Sequence, residues 1–347
     1  MQLHHNANLK SYHTFGLDQT CQYLAVIESV DDLIVLHQSD EWAERPKLML
    51  GKGSNVLFTE PYQGLVMVSR LLGIEHRQDA DFHYLHVAGG EDWPRLVEWS
   101  IQQGLPGLEN LALIPGCAGS APIQNIGAYG VEFKAVCHYV DYLCLASLTI
   151  KRLTVSECQF GYRDSIFKQG LYGKALVVAV GLRLAKDWQP LLSYGPLQSL
   201  PTTCSAEDIY HTVCQVRKDK LPDPVVFGNA GSFFKNPVVD QAVFETLKKQ
   251  CPNLVAYPTE QGVKLAAGWL IEQAGLKGYS FGGAQVHPKQ ALVIINKSNA
   301  TARDIIGLAK QICKTVYDKF KVPLEHEVRF IGSVAETHLS ALIETKE

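Results

Sequence analysis

The 347-residue chain has no apolar run near the roughly 18 residues that a membrane-spanning helix needs. Its first residues, MQLHHNANLKSYHTF, lack the apolar core of a signal peptide. A basic surplus is also missing. The formal net charge is −3, and the longest basic cluster, Arg217-Lys218-Asp219-Lys220, is short and mixed. Nucleic acid is therefore not an expected partner. The nine cysteines are odd in number and contain no C-x-x-C, so their spacing suits neither a zinc site nor a disulfide framework. We expect free thiols, no metal, no membrane insertion and a cytoplasmic location. The His4-His5 pair reads as part of a loose terminus.

What is present is ordinary globular composition, 46% hydrophobic and 19% charged, with length for two or three domains. Up to about residue 185, short apolar runs alternate with glycine-rich turns: LML, VLF, GLVMV, YLHVAG, VCHYVDYLCL, TIKRL and ALVVAVGLRL. These read as strands. VDDLIVLHQ and EDWPRLVEWSIQQG read as helices, the second with Pro94 in its first turn and Gly104 as a stop. Beyond about residue 186 the texture changes. Ser205-Ala206-Glu207-Asp208 and Thr301-Ala302-Arg303-Asp304 are capping-box patterns that open helices reaching Lys220 and about Phe320. KLAAGWLIEQAGLKG is expected to be helical from Lys264, with Gly275 as its end. ALVIIN and HEVRFIG read as strands. The class is α+β.

Two glycine-rich stretches carry chemical suggestion. GKGSNVLF (51–58) lets backbone N–H groups converge on an anion, with Ser54 and Asn55 as side-chain donors. No helix and no third glycine follow, so it is not a Rossmann fingerprint, and a plain tight turn is the alternative. The second stretch, residues 105–132, is long, nearly uncharged and rich in glycine and proline. Such a loop is uncommon unless it binds something. Its small residues allow close approach to a flat ligand, and Ser120, Gln124 and Asn125 offer uncharged hydrogen bonds.

GKGSNVLF, IPGCAGSAPIQNIGAYG, FGYRDSIFK, GNAGSFFKNP and EHEVRFIG stand in that order along the chain. Together they resemble the UDP-N-acetylenolpyruvoylglucosamine reductase family, flavoenzymes of bacterial peptidoglycan precursor synthesis. The resemblance runs from about His13 to Gly332. It implies an FAD-binding domain of the vanillyl-alcohol oxidase (PCMH) type in two subdomains, 1–70 and 71–186, followed by an α+β substrate domain, 187–347. It also implies non-covalent FAD, held by Gly51, Gly53, Ser54, Asn55, Gly116, Gly119, Ser120, Gln124, Asn125 and Gly127. NADPH would be the hydride donor.

By the same resemblance, the enzyme reduces the enolpyruvyl group of UDP-N-acetylglucosamine enolpyruvate. Arg163 would face the substrate carboxylate, Glu327 would serve the enediolate as a neutral acid, and Ser232 would give a proton to carbon, with Lys235 or water assisting. Substrate binding would fall to Tyr194, Arg217, Lys220, Asn236, Tyr257, Lys264, Lys277 and Gln290. Tyr194 matches a subclass whose tyrosine loop closes over the substrate diphosphate. Two positions depart from the pattern: His13, where asparagine is commoner, and His326, where proline is expected. Nothing demands more than a monomer.

Each residue has a blander reading. Arg163 beside Asp164 suits a surface ion pair, Glu327 a solvated strand face, and Ser232 a turn cap. Among rivals, another FAD oxidoreductase of the same cofactor fold would need a base to take a proton from substrate. A serine hydrolase should show G-x-S-x-G, and GNAGSFF lacks the second glycine. A sugar-nucleotide-binding protein without catalysis would need no flavin.

Overall fold

The computed structural model describes residues 1–259 and 261–344, with the side chains of residues 343 and 344 left out. Two compact units emerge. The first comprises Met1–His5, Tyr23–Lys52 and Leu65–Asp219; the second comprises Asn6–Gln22, Gly53–Gly64 and the chain from Lys220 onward.

In the first unit, a five-stranded antiparallel sheet runs in the order Thr149–Thr154, Cys137–Cys144, Ala175–Ala185, Phe82–Ala88 and Ile74–Gln78. One face of the strand Phe82–Ala88 sends Leu85 and Val87 into a core with Trp93, Leu96 and Val97 of the helix Trp93–Gln102. That helix starts where Asp92 accepts a hydrogen bond from the Arg95 amide at 3.1 Å, with Pro94 at a position needing no N–H donor. The strands Lys47–Leu50 and Tyr62–Ser69 pair in parallel. They belong to a sheet ordered Gln2–Asn8, Thr20–Ile27, Tyr62–Ser69, Lys47–Leu50.

In the second unit, Gly228–Ser232, Val293–Asn296, Ala284–Val286 and Ser280–Phe281 form one sheet, in that order. Val238–Val239, Gly262–Leu265 and Ala256–Thr259 form another. The helix Ala302–Phe320 buries Ile305, Leu308, Ile312, Val316 and Phe320 on one face, and Thr301 and Asp304 make its capping box.

The α+β expectation holds, with two local elements corrected. Residues 187–219 cluster with the first unit. The helix Ala206–Lys220 buries Ile209, Val213 and Cys214 in the core that holds Trp93 and Leu182. Conversely, Phe15, Leu17 and Leu57 pack in the core of the second unit. The helix expected from Lys264 begins at Ala267, because Gly262–Leu265 is a strand paired on both sides. The terminus around His4-His5 is a strand, Gln2–Asn8, whose mostly exposed residues give no hydrophobic alternation to read. All nine cysteines are free thiols. Among the described residues, no helix is long and apolar enough to cross a membrane.

Candidate active site

In the first unit the two glycine stretches meet. A Cβ on Gly51 would lie 2.5 Å from Cys117 Sγ, so only glycine lets these loops touch. The turn from Gly116 to Ser120 is strapped to the start of the helix Trp93–Gln102. Trp93 N donates to Gly116 O at 3.1 Å, Ala118 N to Glu91 O at 2.8 Å, and Gly119 N to Gly89 O at 2.8 Å. A Cβ on Gly119 would sit 2.9 Å from Gly89 O, and one on Gly90 would sit 2.6 Å from Leu71 N. Gly89 and Gly90 were not among the expected site residues. Their signal is a glycine pair between a strand and an acidic helix start.

Ser120 and Asn125 serve the loop itself. Ser120 Oγ donates to Cys117 O at 2.8 Å and accepts from Cys117 N at 3.1 Å. Asn125 is fully buried at φ +44°. Its Nδ2 donates to Glu132 Oε2 and Gly161 O, both at 3.0 Å, and its Oδ1 accepts from Lys134 N at 3.0 Å. Both amide hydrogens are engaged within the loop. Gln124 is half-buried beside it.

The FGYRDSIFK segment is knitted to the same loop. Ser165 Oγ donates to Ile123 O at 2.7 Å, and Arg163 Nη2 donates to Gly127 O at 3.2 Å. Arg163 itself is left-handed at φ +54°, and Tyr129 at φ +48°. Non-glycine residues in this region are strained and mark functional sites more often than chance. Arg217, on the helix Ala206–Lys220, completes a cationic corner. Burial, with Arg163 nearby as a lesser cause, pulls its guanidinium below the usual range, while the Tyr129 hydroxyl opposes that shift. Its buried Nε has no hydrogen-bond partner among the described residues. Tyr194 meets Tyr129 edge to face, with ring centroids 6.0 Å apart. Two arginines and two tyrosines in one place suit an anion.

In the second unit, Gly53 turns at φ +59°, where a Cβ would fall 2.2 Å from Tyr12 O. Asn55 ties this turn to the EHEVRFIG segment. Asn55 Nδ2 donates to Glu327 O at 3.3 Å, Arg329 N donates to Asn55 O at 3.1 Å, and Val56–Phe58 then runs parallel to Arg329–Ile331. Ser54 is half-buried in the same turn. The same EHEVRFIG segment pairs with GNAGSFFKNP. Glu327 N donates to Phe233 O and Lys235 N to Glu325 O, both at 2.8 Å. Ser232 and Glu327 are thus carried on paired stretches.

Ser232 ends the strand Gly228–Ser232 after a bulge between Asn229 and Ser232. Gly231 supplies φ +72°, and Asn229 Oδ1 holds the Gly231 amide at 2.9 Å. Phe233 and Phe234 are core residues. Lys235 pairs with Glu325 at 2.6 Å.

The remaining predicted substrate residues sort by position. Tyr257 and Lys264 lie directly opposite on paired strands. Asn236 Oδ1 caps the helix Ala267–Gln273 by accepting from Ala267 N at 2.9 Å, and Gln290 Oε1 lies where a Cβ on Gly268 would come within 3.2 Å. Lys277 is taken by Glu272 at 2.9 Å, and Lys220 is an exposed helix end. Arg163, Arg217 and Tyr194 belong to the first unit; Ser232 and Glu327 belong to the second.

Residues 21–152 match the FAD binding domain family, and residues 223–331 match the family of UDP-N-acetylenolpyruvoylglucosamine reductase C-terminal domains. A UDP-N-acetylenolpyruvoylglucosamine reductase of Vibrio cholerae is 64% identical over 339 residues, 98% of each chain. That of Pasteurella multocida is 54% identical over 95% of this chain and 97% of its own. The crystal structure of the Thermus caldophilus reductase superposes with a TM-score of 0.67 at 23% identity, over 95% of this chain and 99% of its own, a likeness of fold. Two domain families in the expected order, and relatives matched almost end to end, agree with the two glycine loops and the paired Ser232 and Glu327 segments: the chain belongs to the UDP-N-acetylenolpyruvoylglucosamine reductase family.

Proposed function

We propose that this enzyme reduces the enolpyruvyl group of UDP-N-acetylglucosamine enolpyruvate to give UDP-N-acetylmuramate, with NADPH as electron source and non-covalent FAD. Residues 1–70 and 71–186 would supply the two flavin-binding subdomains, and the chain beyond them most of the substrate contacts. Backbone at Gly51, Gly53, Gly116, Gly119 and Gly127, with the side chains of Ser54, Asn55 and Gln124, holds the cofactor, while Ser120 and Asn125 keep the loop in shape. The abutting Gly51 and Cys117 loops fit an extended, flat, anionic group. When bound, FAD supplies the hydride chemistry.

The chain's own work is electrostatic and protic. Reduction at the vinyl β-carbon places charge on the α-carbon and the adjoining carboxylate of the substrate. Arg163 pairs with that carboxylate through a guanidinium that stays charged at any working pH. Ser232 gives its hydroxyl proton to the α-carbon, and Glu327 serves the enediolate as the acid of the site. Arg217 and Tyr194 take the diphosphate, with Lys220, Asn236, Tyr257, Lys264, Lys277 and Gln290 around the rest of the nucleotide sugar. The observation that carries the reading is the backbone pairing that joins the Ser232 and Glu327 segments. Action on a nucleotide sugar suits a cytoplasmic enzyme, and nothing in the reading demands more than a monomer.

The test is stopped-flow on purified protein. Flavin absorbance, its reduction by NADPH and its reoxidation by the enolpyruvyl nucleotide are followed separately. Ser232→Ala should leave the first half-reaction nearly intact and slow the second by about 10²–10⁴-fold. Equal loss in both would remove Ser232 from the proton step. Glu327→Gln retaining more activity than Glu327→Asp supports the neutral acid, and the reverse order argues for a carboxylate.

A further inference from the structure

We propose that His326, which stands where the family resemblance leads one to expect proline, is a positioning residue that sets the backbone of Glu327 through hydrogen bonds only its neutral ring can make together. This rests on the reading of Glu327 given above.

The ring nitrogens are told apart by their partners. Nδ1 lies 2.7 Å from Val328 O, which can only accept, so Nδ1 carries the proton. The neutral ring then leaves Nε2 as an acceptor, and Leu339 N–H points at it from 3.4 Å. The first bond closes a loop from residue 326 to residue 328 around Glu327. The second ties the same segment to the start of the helix Leu339–Glu344. The ring is further seated on Phe330, with centroids 4.6 Å apart.

The backbone pairing at this position would also accommodate a proline. In the bridge between Phe234 and His326, the hydrogen bonds run from Lys235 N to Glu325 O and from Glu327 N to Phe233 O. The amide of residue 326 takes no part in them, so a proline loses nothing from the pairing. Proline restricts the chain covalently at this point. His326 restricts it through side-chain hydrogen bonds, and those bonds titrate. An imidazolium has no lone pair for Leu339 N–H. The groups facing the ring are Glu325 on its own segment, Lys235 on the paired stretch and His338 before the C-terminal helix. Burial, with His338 and Lys235 as smaller causes, holds the ring below the usual histidine range, against Glu325 and the Val328 hydrogen bond. The ring is therefore neutral at pH 7 and charges as the medium becomes acid.

The experiment compares wild type, His326→Ala and His326→Pro, each loaded with flavin, in both half-reactions between about pH 5 and 8. His326→Ala should slow substrate-driven reoxidation at neutral pH by about ten- to a hundredfold, with reduction by NADPH unchanged. His326→Pro should restore the neutral rate and flatten the acid limb seen in wild type. A wild-type rate for His326→Ala at every pH overturns the proposal. So does an acid limb that persists unchanged in His326→Pro, a comparison that stands even when the alanine variant fails to fold. A Glu327→Ala enzyme with the wild-type rate overturns the reading of Glu327 itself. Loss of activity there with no effect at His326 overturns this inference alone.

Discussion

Arg163 and Glu327 are held by opposite means. Arg163 sits on a loop in the left-handed region at φ +54°, and neighbours clamp it there: Lys168 Nζ donates to its carbonyl at 2.9 Å, and Ser165 and Asn125 bind the loop on either side. Glu327 sits on extended chain stitched to its neighbours by backbone pairing and by Asn55. The difference teaches that one of the two proposed site residues is aimed by local strain held in a polar clasp, the other by ordinary strand register. Strain costs about 1–3 kcal/mol and persists only where surrounding contacts over-determine it.

The largest expected effect tests that contrast directly. Arg163→Ala and Arg163→Gly should both lower the substrate half-reaction by about 10²–10³-fold, as loss of one stabilising donor does. Their stabilities should differ in a set direction. Glycine accepts φ +54° freely, so Arg163→Gly should be more stable than Arg163→Ala by about 1 kcal/mol, read as a few degrees in thermal melting. At Glu327 the order should reverse, with glycine the less stable by about 0.5–1 kcal/mol. The same order at both positions would break the comparison.

Next in size is the clasp. Asn125→Ala removes three hydrogen bonds from a fully buried amide and leaves Gly161 O and Lys134 N without those bonds. Each such loss costs about 1–3 kcal/mol, so a destabilisation of about 2–4 kcal/mol is expected in denaturant or thermal unfolding. Asn125→Asp keeps the acceptor for Lys134 N but puts a second carboxylate beside Glu132. It should melt no higher than the alanine variant. A neutral result for Asn125→Ala would mean that the loop is held by its backbone alone.

Much of this was legible in the sequence, and the exceptions have physical causes. Capping boxes at Thr301 and Ser205 and the apolar spacing of Ile305, Leu308 and Ile312 are local signals, and the helices fall where they point. The strand Gln2–Asn8 carries no such signal, because pairing rather than burial orders it. The allocation of residues 187–219 depends on long-range packing of Leu197 and Ile209, which no local pattern encodes. At the site, residue types announced the chemistry but not their partners. Asn125, Lys235 and Asn236 look alike as polar candidates, and only their neighbours show that each is engaged by the scaffold.

His13 sharpens the picture at the other glycine turn. It is buried against Phe58 beside Gly53, with Nε2 3.2 Å from Leu17 O. Burial lowers its pKa to about 4, against the hydrogen bond to Leu17. A folded-state value below the unfolded value of 6.5 means that the unfolded chain binds the extra proton first. The stability tied to the neutral ring is complete above pH 6.5 and is lost as pH falls towards 4, by about 3 kcal/mol at most. His13→Asn should flatten the fall in stability over that window, measured by urea unfolding at several pH values. An unchanged slope would place the acid sensitivity elsewhere.

The smallest effect concerns Asn236, a cap supplied from a distance. Ala266 at the N-cap of the helix Ala267–Gln273 has no side chain able to bond the first amides, and Asn236 Oδ1 fills that role at 2.9 Å. Asn236→Ala should cost about 1 kcal/mol, the usual worth of a cap, and Asn236→Asp should restore it, because a carboxylate at a helix N-terminus also meets the helix dipole favourably. If Asn236 acts only through this cap, the aspartate variant should recover substrate KM along with stability. If its amide also donates to the nucleotide sugar, the aspartate variant should regain stability while KM stays raised, since an anion replaces a donor facing a diphosphate. The two readouts together separate a scaffold role from a binding role at one side chain.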